Sequence, residues 1–245
     1  MKLYAIDQHD QLLHIWRELN ASNLHVVHVD FHCDMRGLLV DRKRQLGWKI
    51  SEVRSTLDEG NYLRYGIFED IVDGVTWVHG TPGGRMCDFH TLKYSTDWST
   101  RFHRKEMDAQ KPKPLRYEVS TMGEWQGTDE QVFLDIDWDT FADQSLPVTE
   151  IDSRVEEFLS KPIGPNLRGI AVCYSRHHSH DTRERYDAFV SRLAEKFGAE
   201  VEKVEYVEGS NVIPLRMKLI PPKIYSALQS IYHGFRLFLK RRGIY

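Results

Sequence analysis

The sequence predicts an α/β fold of three layers, with a mainly parallel sheet between two helical faces. Three observations predict it. Short apolar segments of strand length alternate with longer segments of helical periodicity, the pattern of repeated βα units. The chain has 245 residues and is 41% hydrophobic, which suits one α/β domain with a real core. Acids and histidines gather at the ends of three strand segments, where open parallel sheets bind ligands.

The elements follow in order. "KLYAI" is a short buried strand. "QHDQLLHIWREL" places Leu12, Leu13, Ile15, Trp16 and Leu19 on one broad apolar stripe, which predicts a helix. "LHVVHV" is a second strand, "NYLRYGIFEDIV" a helix, and "GVTWVHG" a strand bounded by glycines. "QVFLDID" is a strand that stays apolar until it meets its acids. "TEIDSRVEEFLS" opens on a capping-type threonine and reads as a helix. "RGIAVCYS" is a strand, and "DTRERYDAFVSRLAEKFG" a helix ending at a glycine. The whole, 1–245, reads as one domain. It has a loop-rich insertion at about 80–130, with one strand in it, and a basic helix at about 222–242. Cations at that helix C-terminus are what the helix dipole favours.

The totals exclude several classes. A net charge of -3 gives no general attraction to nucleic acid or to an anionic membrane. Cys33, Cys87 and Cys173 are odd in number and far apart, which argues against a disulfide scaffold or a cysteine-based zinc site. No apolar run approaches the roughly 20 residues of a membrane span. "MKLYAID" lacks the apolar region of a signal peptide, so the expectation is a soluble cytoplasmic protein.

The strand ends read "AIDQHD", "HVDFHCD" and "FLDIDWD". A lone D-x-H-x-D arises by chance, and a lone D-x-D commonly caps a turn. Three such ends together are harder to explain without a ligand. Period-two spacing puts Asp30, His32 and Asp34 on one side if the backbone stays extended, and likewise Asp135 and Asp137. Four carboxylates at Asp30, Asp34, Asp135 and Asp137 would repel and partly protonate at one sheet edge. Two divalent cations cancel that charge, and His9 and His32 add neutral donors. Carboxylates with some imidazole suit Mn²⁺. Two such ions about 3.5–4 Å apart activate a water for hydrolysis. His28, inside the strand, reads as a satisfied core histidine.

"DFHCD" after an apolar strand, with "FLDIDWD" following, resembles the arginase–agmatinase (ureohydrolase) family. The resemblance is closer to a compact, divergent branch that includes the peptide arginases of ribosomal peptide biosynthesis. "DQHDQLL", "HVDFHCDM", "GNYLRYGIF", "FLDIDWDTF" and "CYSRHHSHDTRERYDAFVSRLAEKF" are similar to that branch. It implies an arginase–deacetylase-like fold and two Mn²⁺ held by His9, Asp30, His32, Asp34, Asp135 and Asp137, with Asp30 and Asp135 bridging. His32 and Asp137 would complete one position, His9 and Asp34 the other. Asp139, one step beyond the matched pair, reads as a turn cap. The resemblance further implies catalytic roles for Asp34 and His180, the latter as a proton shuttle, and a substrate contact at Asn61. The implied reaction turns arginine in a precursor peptide into ornithine and urea.

One departure concerns the substrate. Relatives read Tyr-Ser-Pro-Glu-Tyr-Ser-His where this chain reads "YSRHHSH", so His177 stands in place of a glutamate suited to clamping a guanidinium. His177 itself or Asp181 is then the candidate for that contact. Phe89, Tyr94, Trp98, Phe102 and Trp125 in the insertion suit an extended peptide. Two alternatives stand beside this reading: a deacetylase-type amide hydrolase with one metal, and a binding protein that kept the fold without the chemistry. A homo-oligomer is compatible with the sequence.

Overall fold

The computed structural model describes residues 1–35, 38–40, 48–50, 57, 59–80, 115–142, 147–175 and 181–204, all within the compact unit Met1–Glu208. Its centre is a seven-stranded sheet in which every pairing is parallel. The strands are β1 (Lys2–Ile6), β2 (Leu24–Val29), β5 (Val72–His79), β6 (Arg116–Thr121), β7 (Val132–Asp137), β8 (Leu167–Cys173) and β9 (Glu200–Lys203), in the order β6-β5-β2-β7-β8-β1-β9. A separate antiparallel pair, β3 (Leu38–Val40) and β4 (Trp48–Ile50), lies between β2 and the next helix in the chain. Neither that pair nor β9 is visible in the sequence pattern.

Among the described residues, four helices cover the sheet: α1 (Asp10–Glu18), α2 (Tyr62–Phe68), α3 (Val148–Ser160) and α4 (Arg183–Phe197). Leu12, Leu13, Ile15 and Trp16 of α1 and Tyr62, Leu63 and Ile67 of α2 pack with Val26, Phe133 and Ala171 on one face. Ile151, Val155 and Phe158 of α3 and Phe189, Val190 and Leu193 of α4 pack with Val27, Leu134 and Val172 on the other. Each Val, Leu, Ile or Phe among them, fully buried, contributes roughly 1.5–3 kcal/mol. The helical faces follow from topology. The chain moves from β1 through β2 and β5 to β6 in one direction, then from β7 through β8 to β9 in the other. Right-handed crossovers therefore lay α1 and α2 on one face, α3 and α4 on the opposite one. The neighbours β2 and β7 lead away to opposite faces, so a crevice opens beyond their carboxyl ends.

Local details correct parts of the sequence reading. Leu19, expected on the apolar stripe, is half exposed at the C-cap of α1. α2 stops at Phe68, and Val72 already begins β5. α3 begins one residue before Thr149, and its N-cap is Pro147 with no side-chain capping bond. α4 does end on a glycine, Gly198, at φ 59° and ψ 39°, a left-handed conformation that glycine adopts without a Cβ clash. Trp125 is buried and stacks on Phe158, with ring centroids 6.1 Å apart, so it belongs to the core rather than to a peptide groove. The strand expected in the insertion is β6. Phe89, Tyr94, Trp98, Phe102 and the helix at 222–242 lie outside the described residues.

Candidate metal centre

Period-two alternation and strand register build the site. Phe133 packs against α1 and α2, so Asp135 and Asp137 face the same way, while Leu134 and Ile136 face α3 and α4. Parallel register sets His28 beside Asp135 and Asp137 beside Cys173. His9 joins from the start of α1. A residue at that cap position ordinarily spends its side chain on the helix. Here the Gln11 side chain accepts the Asp7 and Gln8 backbone N–H groups, both at 2.9 Å, and the imidazole of His9 turns toward the acids.

His9 Nδ1 is 2.9 Å from Asp34 Oδ2, 3.3 Å from Asp30 Oδ2 and 3.7 Å from Asp137 Oδ2, and its Nε2 is 3.6 Å from Asp135 Oδ1. The strand β2 ends at Val29, so Asp30, His32 and Asp34 do not continue an extended backbone as the spacing alone suggests. Instead Asp30 Oδ1 accepts the His32 backbone N–H at 2.6 Å, and Asp34 adopts φ 45°, in the left-handed region. Asp137 repeats this turn: its Oδ1 accepts the Asp139 N–H at 3.1 Å. The residue two positions on is thereby presented from each turn, and the two meet, His32 Nδ1 standing 3.2 Å from Asp139 Oδ2.

Tethers fix the acids. Asp135 Oδ2 accepts from the Tyr62 hydroxyl and lies 2.8 Å from His28 Nδ1. His28 Nε2 is 3.1 Å from the His32 carbonyl oxygen and 3.3 Å from Asp30 Oδ2. His28 is satisfied, as its place in the strand suggests, but its partners are the site's own acids. Ser175, at φ 47°, donates to Asp137 Oδ2 at 2.5 Å. The Trp77 indole N–H donates to the Asp30 carbonyl at 3.0 Å.

The charges are crowded. Burial and the neighbouring charges of Asp34 and Asp139 push the Asp30 carboxyl up to about 6. Burial, with Asp139 and Asp30 beside it, pushes Asp137 well above the carboxylate range. Burial would raise Asp135 as well, but His9, His28 and Tyr62 hold it below its ordinary value. Burial carries the Cys173 thiol up to about 12.

A bound cation fits this cluster. Among the described residues, His9 Nε2, Asp30 Oδ2 and Asp135 Oδ1 are buried side-chain atoms without a hydrogen bond, and such atoms are costly unless something satisfies them. Among the described residues, three groups have donor atoms within 4.8 Å of one another: His9, Asp30 and Asp34; Asp30, His32 and Asp139; and His9, Asp137 and Cys173. Carboxylate and imidazole suit a hard or borderline divalent ion.

The structure thus brings together His9, Asp30, His32, Asp34, Asp135 and Asp137, with His32 beside Asp139. Tyr62, His28 and Ser175 come into contact with the acids; each lies in a segment the resemblance covers, but nothing in those segments marks it as a partner of the acids. Only the unbroken D-x-D-x-D run flags Asp139. Asn61 is buried at the N-cap of α2 and makes no capping bond with its side chain. Asp181 is engaged: Oδ1 accepts the Thr182 N–H at 2.8 Å and Oδ2 pairs with Arg185 Nε at 2.7 Å. His177 and His180 lie outside the described residues.

No protein-family model matches the chain, and no curated protein does. Among solved structures it is similar to proclavaminate amidino hydrolase from Streptomyces clavuligerus, at 16% identity and a TM-score of 0.44, over 80% of this chain and 61% of that one. It is also similar to formimidoylglutamase from Bacillus subtilis, at 15% identity and a TM-score of 0.41, over 80% and 60%. Arginase from Medicago truncatula matches at 16% identity and a TM-score of 0.41, over 80% and 58%. The chain spans about three-fifths of the length of these structures. No described helix is long and apolar enough to cross a membrane.

Proposed function

We propose that this protein is a metal-dependent hydrolase that acts on the guanidinium group of arginine residues within a peptide, releasing urea and leaving ornithine. The observation that carries the reading is the buried carboxylate–imidazole cluster beyond β2 and β7, with three polar atoms that make no hydrogen bond. The motif resemblance to the peptide-arginase branch supplies the substrate class. His9, Asp30, Asp34 and Asp135 would hold manganese on the buried side, and His32, with Asp137 as the resemblance implies, on the open side. Two Mn²⁺ there supply the Lewis acidity that makes water nucleophilic near neutral pH.

The residues of the chain do the rest. Tyr62 and His28 fix Asp135 Oδ2, which leaves Oδ1 toward His9. Asp34, against His9 Nδ1, would orient the attacking water and take its proton. Water adds to the guanidinium carbon, the bond from that carbon to the side-chain nitrogen breaks, and the departing amine takes a proton that His180 is proposed to carry. Asp181 is held by Arg185, so the guanidinium contact falls to His177 or Asn61.

The test is urea release by the manganese-loaded protein from an Nα-acylated, C-amidated arginine peptide and from free L-arginine at equal concentration. The peptide should be processed faster by on the order of 100-fold in kcat/KM, because a site matched to neutral amides discriminates against charged end groups. The product peptide should lose CN2H2 per arginine by mass spectrometry. Faster release from free arginine would make this an ordinary arginase. Release from neither would sink the reading.

A further inference from the structure

We propose that Asp139, rather than Asp137, completes a cation position with Asp30 and His32. The proposal rests on the dinuclear reading above and reassigns one of its ligands. Three observations carry it. First, the turns after β2 and β7 are the same turn. Asp30 and Asp137 each fold a carboxylate oxygen back onto the N–H two residues on, which turns the side chains of His32 and Asp139 toward each other across the crevice. Second, Asp137 is engaged elsewhere. One oxygen accepts the Asp139 N–H and the other accepts the Ser175 hydroxyl, and its donor-bearing neighbours are His9 and Cys173. Third, Asp30 is fully buried and faces both ways. Oδ1 is 3.6 Å from His32 Nδ1, while Oδ2, which makes no hydrogen bond, is 3.3 Å from His9 Nδ1. A carboxylate with one oxygen toward each group is placed to bridge two ions. In this arrangement Asp137 is a positioning residue, and its turn is what delivers Asp139.

The ligand is a divalent cation that accepts oxygen and imidazole donors, with water completing its shell on the half-exposed His32 side. The probe is Mn²⁺. Wild type, Asp139→Asn, His32→Asn and Asp137→Asn are loaded, desalted, and read by elemental analysis and low-temperature electron paramagnetic resonance. Wild type should hold about two ions per chain with an exchange-coupled signal. Asp139→Asn and His32→Asn should each hold about one, with the spectrum of an isolated ion, and Asp137→Asn should keep both. Circular dichroism confirms folding, and the His32 variant carries the test if Asp139→Asn does not fold. Two coupled ions in Asp139→Asn and His32→Asn, or loss of one ion in Asp137→Asn alone, overturns the proposal. A wild type with one ion overturns it as well. A wild type that binds no Mn²⁺ instead removes the hydrolase reading on which it rests.

Discussion

The two sides of the cluster share one carboxylate, Asp30, and differ in almost everything else. On the inner side, His9, Asp30 and Asp34 are all buried, and Asp135 beside them is held by two tethers. On the outer side, Asp139 is buried but the His32 side chain is 48% exposed. Charge in a dry, tethered site acts strongly because little screens it, whereas water moderates it at an open one. The comparison teaches that the inner side should dominate stability and retention of metal, and the outer side should exchange.

The largest effect should come from the shared residue. Asp30→Ala should abolish turnover and empty both positions, read by urea assay and by metal content. If one ion stays with full occupancy, Asp30 does not join the two sides. The next effect is on stability without metal. The Asp30 carboxyl rises from 3.8 to about 6 on folding. The folded state therefore binds more protons than the unfolded one between those values, and stability falls as pH rises through that window. Despite their burial, His9 and His28 are also raised by the charges around them, so they lose their favourable charge at higher pH still. The metal-free protein should lose on the order of 2–3 kcal/mol between pH 4 and pH 7, seen as a falling Tm. Saturating Mn²⁺ should reverse the trend, since it binds the ionised acids. A metal-free Tm that climbs across that range would mean the inner acids are not crowded in solution.

The smallest effect sharpens the contrast. Tyr62→Phe removes one tether from Asp135 while keeping the ring packed against His9 and Trp16. Loss of such a tether typically lowers metal affinity by about 10–100-fold. That loss should appear on the inner ion alone in a chelator titration. Equal loss from both ions would erase the distinction between the sides.

Much of the frame was legible in the residues. β1 and β2 coincide with "KLYAI" and "LHVVHV" because a buried parallel strand is a short, nearly unbroken apolar run. α1 and α4 announced themselves by an apolar face, and α4 by its terminal glycine. β9, "EVEK", was hidden because an exposed edge strand has no apolar signature. His28 looked like ordinary core for a related reason: a buried histidine reads the same in sequence whether its partner is a carbonyl or a buried carboxylate.

By itself, then, the sequence determined that acids and histidines would stand at the carboxyl ends of buried strands. Alternation and strand length are local properties, set within a few residues by backbone geometry and apolar pattern. Only the tertiary structure decided which of those groups meet. His28 lies beside Asp135 because β2 and β7 are neighbours in a common register, although 107 residues separate them in the chain. Asp139 rather than Asp137 reaches His32 because two similar turns face each other across a crevice between strands that lead to opposite faces. Strand order and register come from packing the two helical layers onto the sheet, a balance of long-range contacts that no short stretch of sequence encodes.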